Sequence, residues 1–302
     1  MSGLLDINLL GIHLKNPIIM ASGTFGFGRE YSEIYDIEKL GGIVSKGLTL
    51  YPRNGNQGIR VWETSSGMLN SVGLENPGIQ NFIKNELPYM QSLNVAHIIN
   101  ISGTSLDDYV KACDKISRQN VDMIELNISC PNIKENNLPF GIKETTTREV
   151  VKETRKVVKI PLMVKLSPDA DDITRIARIC EEEGADAISL INTFKSFAIN
   201  VNEKKKIFEN TYAGLSGPCI KPIALRMVHE VAKQVKIPVI GIGGIVDYQD
   251  VLEFLMAGAR AVQIGTANFL NPRVGEIIIK DLENYLKSNN VSNISDIIGI
   301  ID

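Results

Sequence analysis

Short apolar runs rich in β-branched residues recur along the chain, and most are followed by stretches in which apolar residues return every three or four positions. The runs cover residues 17–23, 42–49, 96–102, 122–129, 161–167, 187–192, 238–244 and 261–266. They are nearly continuous in apolar character rather than alternating, as in Ile18-Ile19-Met20, the pattern of parallel strands buried on both faces. Amphipathic segments lie at 107–119, 145–158, 171–183, 222–235 and 247–256. In the third, Ile173, Ile176, Ala177 and Cys180 keep helical spacing, and Gly184 marks its end. Strand–helix units repeated in this way predict an α/β fold, a (β/α)8 TIM barrel, with an open doubly wound sheet as the alternative. No Gly-, Ser- or Pro-rich linker divides the chain, so residues 1–302 are expected to form one domain.

The spacing of the units is uneven. Residues 50–77, 130–143 and 193–220 are long connections, each following the C-terminal end of a strand. In a barrel, all three insertions would crowd the face where active sites are built. The run Lys204-Lys205-Lys206 inside the last reads as a solvated loop tip.

Composition narrows the function classes. With 32 Lys+Arg against 35 Asp+Glu, the chain carries no basic excess for nucleic acid. No apolar stretch is long enough to span a membrane, and the first residues show no basic, apolar leader. The expected compartment is the cytoplasm. The four cysteines, Cys113, Cys130, Cys180 and Cys219, are widely separated, which speaks against a thiolate metal or iron–sulfur site on this chain. Cys113 and Cys180 fall on helices as small buried hydrophobes, and Cys219 lies in a loop with no assigned role.

Three constellations carry chemistry. Polar residues recur at strand ends: Ser22, Lys46, Asn100, Asn127, Lys165 and Asn192. Any one would serve as a strand-end cap, but six on successive strands would ring a pocket with amides and two cations, suited to a planar polar heterocycle and an anion. The second is glycine-rich: Gly243-Gly244 ends the seventh run, and Gly265-Thr266 the eighth. Bare amides there, followed by a helix N-terminus, form the usual barrel phosphate site; tight βα turns are the plainer alternative. The spacing is not a dinucleotide fingerprint. The third is Asn127-Ile-Ser-Cys130-Pro-Asn132, a thiol just past a strand end and placed for proton or nucleophile chemistry.

Together these residues resemble the dihydroorotate dehydrogenases, from about Leu5 to Leu286. The likeness is densest in ASGTFGFG at 21–28, SKG at 45–47, GMLNSVGLENPG at 67–78, NISCPN at 127–132 and VKLSP at 164–168. It continues in LSGPCIKP at 215–222, GIGGI at 241–245 and QIGT at 263–266. A cysteine in NISCPN is similar to class 1, and class 2's membrane-meeting N-terminal extension is not expected. GTFGFG at 23–28, PRNGN at 52–56 and ETSSGM at 63–68 are similar to the B-type, NAD-linked subclass. One departure is Tyr212-Ala213-Gly214, where the family often has two glycines.

The resemblance implies an FMN-binding barrel that oxidises dihydroorotate to orotate in pyrimidine biosynthesis. It also implies a homodimer joined to an FAD and iron–sulfur electron-transfer subunit as a heterotetramer. Cys130 would be the base for the C5 proton. Lys165 would stand near the flavin N1–C2=O edge, and Lys46 would touch flavin and substrate. Asn70, Asn127, Asn132, Asn192 and Thr193 would grip the pyrimidine, with Ser71, Val72, Gly73 and Leu74 beside its carboxylate. Ser22, Gly47, Asn100, Asn127, Ile191 and Gly217 would contact flavin, and Gly243, Gly244, Gly265 and Thr266 would cradle its phosphate. Residues 131–141, with Asn136, Asn137 and Gly141, would form a lid.

Three rivals remain at this point. One is an A-type, fumarate-using homodimer. Another is a phosphate-binding lyase or isomerase with Lys165 or Lys46 as a Schiff-base amine. The last is a barrel that binds flavin or a partner without catalysis.

Overall fold

Each apolar run becomes one stave of a closed parallel barrel. The computed structural model describes residues 3–129 and 140–301. In chain order the barrel strands are Ile18–Met20, Gly42–Val44, Ala96–Ile101, Met123–Asn127, Leu162–Lys165, Ala187–Leu190, Val239–Ile242 and Ala261–Ile264, called strands 1 to 8 below. Each pairs in parallel with its neighbours in sequence, and strand 8 closes the ring on strand 1. Every strand residue except the half-buried His97 is buried, which accounts for the continuous apolar runs. The (β/α)8 expectation holds, and the open sheet is excluded.

The helices follow their periodicities within a few residues. Leu106–Ser117 buries Tyr109, Ala112, Cys113 and Ile116 at helical spacing against the barrel. Glu144–Val157, Ile173–Glu182, Lys221–Ala232 and Tyr248–Met256 cover the next four strands. Asp172 caps the second of these and Asp247 the last, each by accepting backbone N–H groups of the first turn. Strand 1 departs from the pattern: the helix after it is only Arg29–Ser32. Cys113 and Cys180 are buried as expected, and burial pushes both thiols well above the usual range. Among the described residues, no helix is long and apolar enough to cross a membrane.

Two of the long connections are not independent loops. Strands Val61–Thr64 and Gly67–Asn70 from the first pair with Phe194–Phe197 and Tyr212–Ser216 from the other. The result is one four-stranded antiparallel sheet. Asn70 stands in register with Gly214, 144 residues away. This sheet has a small core of its own in Leu69, Ile207, Phe208 and Ala213. The family departure at Ala213 therefore places a methyl group in a packed interior. The lysine run is exposed but not merely a loop tip: Lys205–Lys206 pairs with Ile199–Asn200, and Lys206 Nζ donates to Glu209 O at 2.6 Å and Thr211 Oγ1 at 2.8 Å.

Candidate active site

At the C-terminal ends of the strands, the polar residues sort into two levels. The deeper level is set by parallel register, which puts Asn100 beside Glu125 and Asn127 beside Lys165. Glu125 is wholly buried, and Lys165 is 4% exposed. Such a pair is tolerated only with further hydrogen bonds. Glu125 Oε2 accepts from Asn100 Nδ2 at 2.6 Å. Its Oε1 accepts from Gln263 Nε2 at 2.6 Å and Ser189 Oγ at 2.9 Å. Lys165 Nζ lies 3.9 Å from Oε2 and 3.5 Å from Ser22 Oγ.

Above it lies an amide cluster. Asn192 Nδ2 donates to Asn127 Oδ1 at 3.3 Å and to Ser129 Oγ. Ser129 Oγ in turn donates to Asn127 Oδ1 at 2.6 Å. The end of strand 4 is pinned from behind by Tyr109, whose hydroxyl donates to Asn127 O at 2.7 Å. Strand 6 continues past its last ladder residue: Ile191 N donates to Ile242 O and Asn192 N to Leu166 O, both at 3.0 Å. Thr193 N donates to Asn192 Oδ1 at 2.8 Å, and Asn70 Nδ2 to Gly214 O at 3.3 Å. The cross-loop sheet thus carries Asn70 and Thr193 to one place. A side chain at position 214 is sterically barred, since a Cβ there would stand 2.1 Å from Thr193 Oγ1.

Residues 71–74 belong to a turn whose shape is set by buried Asn76. Its Oδ1 accepts from Thr49 N and Gly78 N, and its Nδ2 donates to Leu74 O. Gly73, at φ +78°, lies so close to Asn56 that a Cβ would reach 2.4 Å from its Oδ1. Asn56 also donates to Ser71 O at 3.0 Å. Lys46 is half-buried at the end of strand 2. Burial holds its ammonium below the ordinary lysine range; Glu75 opposes that shift and Arg60 adds to it.

The glycines form a cradle beyond strands 6, 7 and 8. Gly217, Gly243 and Gly244 have φ of +100°, +134° and +75°. A Cβ on Gly244 would come within 2.7 Å of Lys221 Cβ and 2.9 Å of Gly217 O. Gly265 faces more open space, its nearest neighbours being 3.7 Å from where a Cβ would sit. Thr266 Oγ1 donates to Ser216 Oγ at 2.8 Å. A helix follows each of strands 7 and 8. The helix after strand 7 is closed by a capping box of Asp247 and Asp250, and the helix after strand 8 is only Ala267–Leu270. The residues that form this cradle are mainly glycines, whose backbone N–H groups have no Cβ beside them. The first turn of Lys221–Ala232, which has no side-chain cap, packs beside them.

Cys130, Asn132 and lid residues 131–139 lie outside the described residues. Gly141 is described: its N donates to Ile128 O at 2.8 Å, and a Cβ would strike the Ile128 side chain. Of the six strand-end residues, Ser22 lies beside Lys165, Asn127 bonds Asn192, and Asn100 and Lys165 meet at Glu125, while Lys46 makes no side-chain hydrogen bond to the other five among the described residues. Glu125, Gln263 and Ser189, which organise the deeper level, were not singled out from the sequence. A carboxylate inside the apolar run Met-Ile-Glu-Leu-Asn, two residues before Asn127 and so on its face, was the available signal.

Comparison with known proteins places this geometry. The family model for dihydroorotate dehydrogenase matches residues 4–286. The dihydroorotate dehydrogenase B (NAD(+)) catalytic subunit of Petrotoga mobilis is 55% identical over 98% of both chains. Proteins of the same description are 50% identical in Thermoanaerobacter pseudethanolicus and 47% identical in Alkaliphilus oremlandii, again over 98% of both chains. Sheet closure, loop sheet, amide cluster and glycine cradle are thus found in a chain that belongs to the dihydroorotate dehydrogenase family.

Proposed function

We propose that this chain is the catalytic subunit of a cytoplasmic, NAD-linked dihydroorotate dehydrogenase. In this reading it binds FMN, oxidises dihydroorotate to orotate and passes electrons to a partner subunit carrying FAD and an iron–sulfur cluster. Two copies of each subunit would make the heterotetramer. The observation that carries the FMN reading is Asn100 Oδ1. It is buried with no partner among the described residues and lies 2.9 Å from where a Cβ on Gly47 would stand. An orphaned acceptor beside a bare glycine, with Lys165 joined to it through Glu125 and glycines at the ends of strands 7 and 8, fits a planar heterocycle with a phosphate tail.

FMN, when bound, supplies the acceptor for the hydride leaving C6 of dihydroorotate. The chain supplies the rest. Cys130 takes the C5 proton, and its thiolate is the basic form. Lys165 holds a buried positive charge, which would stabilise the electron-rich form of a reduced flavin. Asn127, Asn192, Asn70 and Thr193 offer amide and hydroxyl groups for the pyrimidine ring. Residues 71–74 present backbone groups for its carboxylate. Lys46 adds a second cation at the rim.

The cradle makes a direct prediction. Gly244→Ala should weaken FMN binding by about tenfold or more, since overpacking typically costs ~1–3 kcal/mol, while the far-UV circular dichroism stays that of the parent. Unchanged affinity in a fluorescence titration of the apo-protein would remove Gly244 from the site.

The relatives' NAD(+) designation supports the acceptor assignment. Enzyme reduced with dihydroorotate under anaerobic conditions should stay reduced with fumarate or NAD+ alone. NAD+ should reoxidise it once an FAD/iron–sulfur partner is present. Rapid reoxidation by fumarate alone would replace this reading with the fumarate-dependent one.

A further inference from the structure

The carboxylate of Glu125 is the buried charge that the proposed chemistry leaves without a task. It stands on strand 4 and receives donors from strands 3, 6 and 8, the last directly across the ring, with the strand 5 ammonium beside it. An ionised carboxylate only accepts hydrogen bonds, so Asn100 and Gln263 both turn their NH2 groups toward it. That choice leaves Asn100 Oδ1 and Gln263 Oε1 as buried acceptors with no partner among the described residues. An apolar barrel layer would satisfy stability at least as well as this arrangement. The network instead fixes the orientation of an amide and the place of a cation at the pocket floor.

We propose that Glu125 is the positioning residue of this site. It locks the Asn100 amide with its oxygen on the Gly47 side, holds Lys165 Nζ in place, and moderates how strongly the pocket prefers reduced over oxidised FMN. This rests on the FMN reading above. The physical reason is charge. The Lys165 ammonium favours the electron-rich reduced cofactor, and a carboxylate 3.9 Å away, out of water, subtracts part of that field.

The test compares Glu125→Gln and Glu125→Asp with the parent. Dissociation constants for oxidised FMN come from fluorescence titration of the apo-proteins, and midpoint potentials of the bound flavin from dye equilibration. In Glu125→Gln the preference for reduced over oxidised FMN should rise about tenfold, which is ~30 mV upward for a two-electron couple. In Glu125→Asp the charge remains, so the potential should stay near the parent's. The shorter side chain no longer spans the lumen from Asn100 to Gln263, so oxidised FMN should bind about tenfold more weakly, the scale of one lost buried hydrogen bond. A merely structural Glu125 would lower the melting temperature of both variants and leave potential and affinity unmoved, which would overturn the proposal. Should Glu125→Gln not fold, parental FMN affinity in Glu125→Asp would overturn it alone. Failure of the parent apo-protein to bind FMN would instead overturn the functional reading beneath it.

Discussion

Replacing Lys165 with alanine should both destabilise the barrel and strip it of cofactor. The ammonium is the cation paired with Glu125, and both side chains are almost wholly out of water. Removing one partner of a buried pair leaves the other uncompensated, a loss of about 3–5 kcal/mol. The remaining donors to Glu125, from Asn100, Ser189 and Gln263, keep the carboxylate hydrogen-bonded but do not neutralise it. Urea unfolding of the apo-protein should show a lower midpoint, and purified Lys165→Ala should carry little FMN. A Lys165→Ala, Glu125→Gln double variant should regain part of the lost stability, because the stranded charge is gone. A parental unfolding midpoint with parental FMN content would show that Lys165 plays neither part.

Cys130→Ser should abolish most turnover while leaving flavin bound. A positioned base typically contributes about 10²–10⁴-fold, and a serine hydroxyl is a far poorer base than a thiol whose ordinary pKa is ~8.5. Because the thiolate is the active form, the parent's rate should climb as pH rises toward that range and then level off. The serine variant should stay slow across the same range. Near-parental activity in the variant, or a flat parental profile, would move the proton to another group.

Much of this architecture was legible because it is written in local patterns. Parallel strands buried on both faces leave continuous apolar runs, and amphipathic helices leave a three-and-four spacing. The ring of strand-end polar residues was legible for the same reason: Asn and Lys are conspicuous at the ends of apolar strands. What was not legible depends on distant pairing. The four-stranded loop sheet joins residues 61–70 to 194–216, and nothing in either segment names its partner. Glu125 escaped notice because its meaning lies in Asn100, Lys165, Ser189 and Gln263, brought together only when the ring closes. Helices follow strands 7 and 8 as the pattern implies, but the Asp247–Asp250 capping box on the first of them depends on local geometry that the glycine pattern does not reveal.

This barrel should bind FMN and reduce it with dihydroorotate. The most direct measurement is an anaerobic absorbance spectrum of the chain purified alone and loaded with FMN, before and after adding dihydroorotate. Bleaching of the flavin bands by dihydroorotate is the predicted result. Bound flavin whose spectrum dihydroorotate leaves untouched would contradict the claim, as would a protein that takes up no FMN at all.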